Sequence, residues 1–340
     1  MIQDLPSLPE DRQGGLFYFV EIFINDILTA VMAACIICIT RTNTKHTNEE
    51  ADKMYEFAKI GTMQFVLWMT GTILFLGVPV AIAIIWTVKK KEKFTSVLTG
   101  AVTFLLFAII LEKPIQNALI FPTAMGLPDH AAAQFINARP VLWAFLVGLF
   151  PGLFEETGRF IAFKTVLKNR KNRETSLSYG IGHGGFEVML ILGLTYINYI
   201  TYGIMINSGA YAETIKQIAQ VMPDQVEAYL AIPDQLAGFT AGSFAINLYE
   251  RIFAVLFHIG ASILVFYACR DKKKIWLYPL AIILHTLMDG ILGLDLAGVI
   301  ELSDWGLEGV CTVMGLAVFF GAYFLLYKKD GQAHEMADNT

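Results

Sequence analysis

The sequence predicts an all-α fold, a polytopic transmembrane helical bundle of about eight spans, or seven if the first apolar run does not cross. Three observations carry this expectation. Hydrophobic residues fill 55% of the 340 positions and charged residues only 16%, where soluble domains carry about a quarter charged. Mean hydropathy is +0.55. Apolar runs of roughly 18 residues or more, long enough to cross a bilayer, recur along the chain.

These runs fall near 17–40, 64–88, 95–112, 140–166, 177–206, 241–268, 275–295 and 306–327. The first holds Glu21 and Asp26, each costing ~2.5–3.5 kcal/mol at mid-membrane, so it either spans or lies along the interface. Residues 1–62 therefore read as an amino-terminal extension with one membrane helix, 63–330 as the bundle, and 331–340 as a cytoplasmic tail. Met1 to Gly15 lacks the basic start and apolar core of a cleaved leader.

Loop basics set orientation. KKKEK at 89–93, KNRKNR at 168–173, RDKKK at 270–274 and the pair Lys328 and Lys329 mark one side as cytoplasmic. The loops at 113–139, 207–240 and 296–305 hold only Lys113, Arg139 and Lys216 and should face outward. Both termini then lie inside a multi-pass cell-membrane protein. The polar segment 41–62, with Arg41, Lys45, Lys53 and Lys59, is the one loop that fits this scheme poorly. A net charge of −5 and basic residues confined to short loops exclude nucleic acid as a partner; the bilayer is the expected surrounding. In the outer loop 207–240, Ile215, Ile218, Val221 and Met222 recur at helical spacing and predict a short surface helix, read as a packed cap.

Charge inside hydrocarbon is costly, so ionisable residues within spans point to a buried polar site. Four spans carry them, in FEETGRF, GIGHGGFE, LYERIFAVLFH and ILHTLMDG. At 1.5 Å of rise per residue from the basic loops, Glu155 and Glu156 lie about 15–17 Å deep, His183 about 9 Å, and Glu187, His258 and His285 about 15 Å. Asp289 lies about 21 Å deep, and Glu250 and Arg251 about 26–27 Å. Most of the set converges on one layer.

His183 and Glu187 are four residues apart, as are His285 and Asp289, so each pair shares a helix face where a carboxylate can orient a ring. Glu155 and Arg159 have the same spacing and predict an ion pair, leaving Glu156, about 100° round the helix, freer to face a cavity. Adjacent carboxylates in low dielectric resist ionising together, which suits one of them to general acid or base work. Gly182, Gly184 and Gly185 around His183 permit close approach of a substrate or of a neighbouring helix. Glu250 and Arg251 either support His258 from two turns away or form a structural pair.

Histidines and carboxylates around a wet cavity can activate water through a metal such as zinc or by direct general-base action of a glutamate. No serine triad or helical HExxH motif is present. At four motifs the chain resembles the YhfC family of glutamic-type intramembrane proteases, related to the CAAX-protease/bacteriocin-processing and PrsW families: Glu155, Glu156 and Arg159 in EETGR, His183 and Glu187 in HGGFE, the isolated His258, and His285 and Asp289 in HTLMD. The resemblance covers roughly residues 64–327. It implies a helical-bundle peptidase in which Glu155 or Glu156 activates water and the histidines stabilise the oxyanion, acting on a membrane-embedded or membrane-proximal peptide or protein. The superfamily was first described as metal-binding, whereas the glutamic-type reading needs no metal; no obligatory cofactor is favoured, with zinc as the alternative.

Two other classes compete. A proton-coupled transporter would also bury acids and histidines, but no inverted repeat or pair of broken helices is evident. A non-catalytic binding or immunity protein would not need all four motifs intact. His46, His130 and His334 read as solvent-exposed, Cys35, Cys38, Cys269 and Cys311 as apolar packing rather than disulfides or redox chemistry, and Trp276, Tyr278 and Trp305 as interfacial anchors.

Overall fold

A computed structural model of the chain describes residues 56–221 and 226–332. The expected first span at 17–40, Cys35, Cys38, His46, Met222 and His334 lie outside the described residues. Within them the chain is helical without a strand, and seven helices are long and apolar enough to cross a membrane. These are α1 (Thr62–Lys90), α2 (Phe94–Ile120), α4 (Pro140–Lys164), α5 (Glu174–Ser208), α9 (Ala241–Arg270), α10 (Lys272–Leu296) and α11 (Asp304–Gln332). The shorter helices are α3 (Ala131–Asn137), α6 (Ala210–Val221), α7 (Val226–Leu230) and α8 (Ile232–Ala237).

One boundary departs from the expectation in a way that matters. The pattern 95–112 predicts an end at the Glu112–Lys113–Pro114 break, yet α2 continues through a π-helical stretch, Leu105–Glu112, into Lys113–Ile120. Pro114 lies just past the π-helical stretch, so the interruption that a proline brings is taken up inside a continuing span rather than at its end. Glu112, fully buried, is neutralised in place by the Lys113 ammonium at 3.2 Å.

The described chain divides into two compact units. The larger is built from Gly77–Met189 and Ile246–Thr340, the smaller from Gly14–Leu76 and Leu190–Ala245, in each case as far as the described residues reach.

In the larger unit, buried Phe163, Tyr179, Phe257, Val265, Phe266 and Leu277 form the apolar core. Lipid tails are as apolar as leucine, so membrane helices associate by close packing and polar contacts rather than by the hydrophobic effect. Gly152 of α4 serves the first: an added Cβ would lie 2.6 Å from Thr286 Oγ1 and 2.9 Å from the Ile282 carbonyl oxygen of α10. Gly182 of α5 serves it again, since a Cβ there would overlap the Val97 carbonyl of α2. The glycines beside His183 are thus occupied in helix packing rather than opened to a substrate. A Cβ added at Gly184 would lie 3.2 Å from His258 Cβ, and one added at Gly185 would lie 3.2 Å from Pro79 Cβ. Pro151 inside α4 leaves the Val147 carbonyl without its helical donor. Gln116 Nε2 of α2 donates to that carbonyl at 3.2 Å.

The smaller unit is aromatic. Trp68 and Phe75 of α1 pack with Tyr199 and Tyr196 of α5, at ring separations of 5.7 and 5.2 Å. The segment 207–240 forms α6, α7 and α8, and α6 buries Tyr211, Ile215 and Ile218 while Val221 is exposed. The predicted surface helix is therefore present, and Gln64 Nε2 ties α1 to the end of α8 through the Ala237 carbonyl at 3.0 Å.

Candidate active site

The eight residues singled out in the sequence meet within the larger unit, supplied by four helices. Seven of them are buried, and Asp289 retains a 17% exposed side chain. They sort into two interlocked groups.

The first group centres on Glu155. Its Oε2 lies 2.9 Å from His183 Nε2, 3.8 Å from Arg159 Nη2 and 3.9 Å from His258 Nδ1. The rings of His183 and His258 are 5.0 Å apart. Phe104 stands edge-on to His183, and Phe257 edge-on to both His258 and His285, so the polar atoms are walled by aromatic carbon. The second group centres on Glu156, whose Oε1 accepts from Arg159 Nη1 and faces His285 Nδ1 at 2.9 Å. The other ring nitrogen of His285 lies 3.5 Å from Asp289 Oδ2.

This pairing reverses the division of labour expected from spacing. Arg159 does reach Glu155, but its direct partner is Glu156, three residues away, and Glu156 is the more enclosed carboxylate. Glu155 is the one turned towards the histidines. Helix geometry permits both i,i+3 and i,i+4 contacts, so spacing alone does not choose between them. The i,i+4 pairs also part company. His183 turns to Glu155, while Glu187 turns to α9, with Oε2 2.6 Å from His258 Nε2 and Oε1 2.9 Å from Arg251 Nη1. Arg251 also pairs with Glu250. Both readings of Glu250 and Arg251 thus hold: they form a pair, and Arg251 reaches His258 through Glu187.

Sequence reasoning misses Glu112, which reads as a helix end. It is fully buried in α2, and its Oε2 has no hydrogen-bond partner. The apolar run NALIF beyond Pro114 is the signal that the span continues. His130 departs from the exposed-loop expectation: its Nδ1 accepts from the Ala133 N–H at 3.1 Å as the cap of α3, and its Nε2 faces the Ala118 carbonyl at 2.9 Å. A histidine beside Asp-Pro loop residues carries no period that would announce a cap. Trp276 and Trp305 are exposed as interfacial anchors should be, and Tyr278 Oη bonds Thr157 Oγ1 at 2.8 Å.

One carboxylate and two imidazoles form the donor set that catalytic zinc takes, leaving a coordination position open. Glu155, His183 and His258 each offer a ligand atom, all within 4.8 Å of one another. His183 Nδ1 is buried without a partner, so its ring is held only through Nε2 by Glu155. The residues fit a divalent metal.

Fold and site together define a polytopic helical membrane protein with a buried, hydrolase-like cluster of glutamates and histidines. The chain belongs to the YhfC intramembrane metalloprotease family, whose model matches residues 74–309. It is 32% identical over 264 residues to the uncharacterized membrane protein YhfC of Bacillus subtilis (strain 168), covering 77% of this chain and 95% of that protein. No solved structure matches it. The matched region contains all eight candidate residues, and the family description carries the metal that the sequence reading keeps as its alternative.

Proposed function

We propose that the chain is an intramembrane endopeptidase that hydrolyses a peptide bond in or beside the membrane, with water activated where Glu155, His183 and His258 meet. The observation carrying this reading is the convergence of three buried donors from three spans. Those three residues would hold a divalent ion such as zinc, which when bound supplies a Lewis acid that polarises a carbonyl and eases ionisation of water. Glu156 Oε2 has no hydrogen-bond partner, and this carboxylate takes the proton from the attacking water as its oxygen bonds to the carbonyl carbon. His285, held between Glu156 and Asp289, passes a proton to the leaving nitrogen as the C–N bond breaks. Arg159 offsets the charge of both glutamates. The substrate is a membrane-embedded or membrane-proximal peptide, and the positive-inside bias of the basic loops supports a site in the cytoplasmic half with both termini inside.

A metal-free, glutamic-type reading is favoured by one observation. Arg159 Nη2 lies 2.6 Å from His258 Nδ1, so a cationic group already serves one of the donors. In that case Glu155, bonded to His183, is the base. Comparison of new amino termini in membranes carrying wild-type protein or the Glu155→Gln/Glu156→Gln variant identifies the substrate. Cleavage of that substrate by purified protein should vanish on chelation and return with about one equivalent of zinc. Cleavage that persists without metal overturns the metal reading in favour of the glutamate. Absence of any differing terminus, with both proteins correctly inserted, removes the peptidase and turns attention to proton-coupled uptake in proteoliposomes.

A further inference from the structure

Arg251 belongs to none of the four motifs, yet it is buried, 6% exposed, in the membrane-spanning helix α9. It lies seven residues before His258, about two turns or roughly 10 Å along the helix, too far for direct contact. Glu187 of α5 closes that gap. One carboxylate oxygen lies 2.9 Å from Arg251 Nη1 and the other 2.6 Å from His258 Nε2. The second guanidinium arm is held by Glu250, so Arg251 is itself fixed at two points.

The consequence falls on His258. An arginine side chain only donates, so its Nη2, 2.6 Å from His258 Nδ1, requires a lone pair at that nitrogen. Glu187 Oε2 lies 2.6 Å from the other ring nitrogen, Nε2, without hydrogen-bond geometry, so it acts there as a neighbouring negative charge. The Arg159 contact fixes the tautomer, and the Glu187 charge beside Nε2 favours the same one and bears on how the ring is turned. Nδ1, the nitrogen turned towards Glu155, is thereby held as an acceptor. A carboxylate that holds one ring nitrogen so that the other can ligate or accept is the usual outer support of a functional histidine.

We infer that Arg251 is a positioning residue, which clamps Glu187 across α5 and α9 and so holds the carboxylate that orients the His258 ring. Glu187 without it would be a buried carboxylate with no hydrogen bond to keep it against the ring. Lysine in its place supplies a point charge and cannot fork between Glu187 and Glu250.

The test uses full-length protein in lipid nanodiscs, metal-free and labelled with nitrogen-15 in its histidine rings. Signals lost in His258→Gln identify His258. Wild-type protein should show one tautomer, unprotonated at Nδ1. Arg251→Gln should shift and broaden the Nε2 signal of that ring, and Arg251→Lys should return most of the wild-type signal. The paired variant Glu250→Gln/Arg251→Gln, which removes both members of one buried ion pair, gives the same reading if the single change prevents folding. A second readout is zinc affinity against a competing chelator, expected to weaken by about 10–100-fold in Arg251→Gln. Unchanged His258 signals in a folded Arg251→Gln protein overturn the inference. The second readout rests on the proposed metal; wild-type protein that takes up no zinc removes that metal and leaves Arg251 to be judged on the ring signals.

Discussion

The two units fill their interiors with opposite chemistry. In the larger, Glu112, Glu155, Glu156, Arg159, Glu187 and Arg251 are buried beside three histidines. In the smaller, the buried set is Trp68, Phe75, Tyr196, Tyr199, Tyr211 and Phe239 with aliphatic neighbours, and among its described residues no charged side chain is buried. Both solutions satisfy a helical membrane protein, but at different cost. Aromatic rings pack at separations of about 5–6 Å and ask for a partner only at a hydroxyl or indole N–H, as where Tyr211 Oη donates to the Tyr229 carbonyl at 2.8 Å. Buried charges each need one, and breaking a pair leaves an uncompensated ion in low dielectric. Burying charges costs more than burying rings, so the larger unit's departure from the aromatic solution is what motivates the proposed site.

That contrast is open to direct test. The largest effect should come from Glu155→Gln, which leaves shape intact but removes the base or ligand: cleavage of the identified substrate should fall by about 10²–10⁴-fold with little change in thermal unfolding. Retained cleavage would mean that the buried charges are structural. Next comes Arg159→Met, which strands Glu156 and loosens Glu155 and His258. It should destabilise the protein by about 3–5 kcal/mol in detergent unfolding, and stability equal to wild type would show that the ion pairs do not hold the helices. Trp68→Leu in the smaller unit should cost about 2–3 kcal/mol through lost packing, while zinc affinity stays within about twofold; a parallel loss of affinity would dissolve the distinction between the units. The smallest effect belongs to Gln116→Leu, about 1 kcal/mol from the unpaired Val147 carbonyl. In a Pro151→Ala background that carbonyl regains a helical donor, so the same change should cost close to nothing.

Much of this molecule is legible in the sequence. The seven described spans fall near their predicted ranges because bilayer thickness sets a minimum apolar length that composition alone reveals. The common depth of Glu155, Glu187, His258 and His285 follows from counting residues inward from basic loops, since rise per residue is constant in a helix. Glu112 is hidden by a proline that looks like a terminus but lies inside a continuing span. His130 is hidden because a cap depends on one backbone N–H three residues on.

What the sequence alone determined is which residues fall in helices long and apolar enough to span, and how far along each helix they lie. What only the tertiary structure decided is partnership: that Glu155 serves His183 while Glu156 serves His285, and that Glu187 leaves His183 to join His258 to Arg251. Depth is a one-dimensional quantity carried by each helix separately. Partnership depends on how each helix is rotated about its own axis, and that is set where Gly152 and Gly182 let backbones of distant segments touch. A rotation of one residue's worth, about 100°, would exchange Glu155 for Glu156 without altering any hydrophobic pattern.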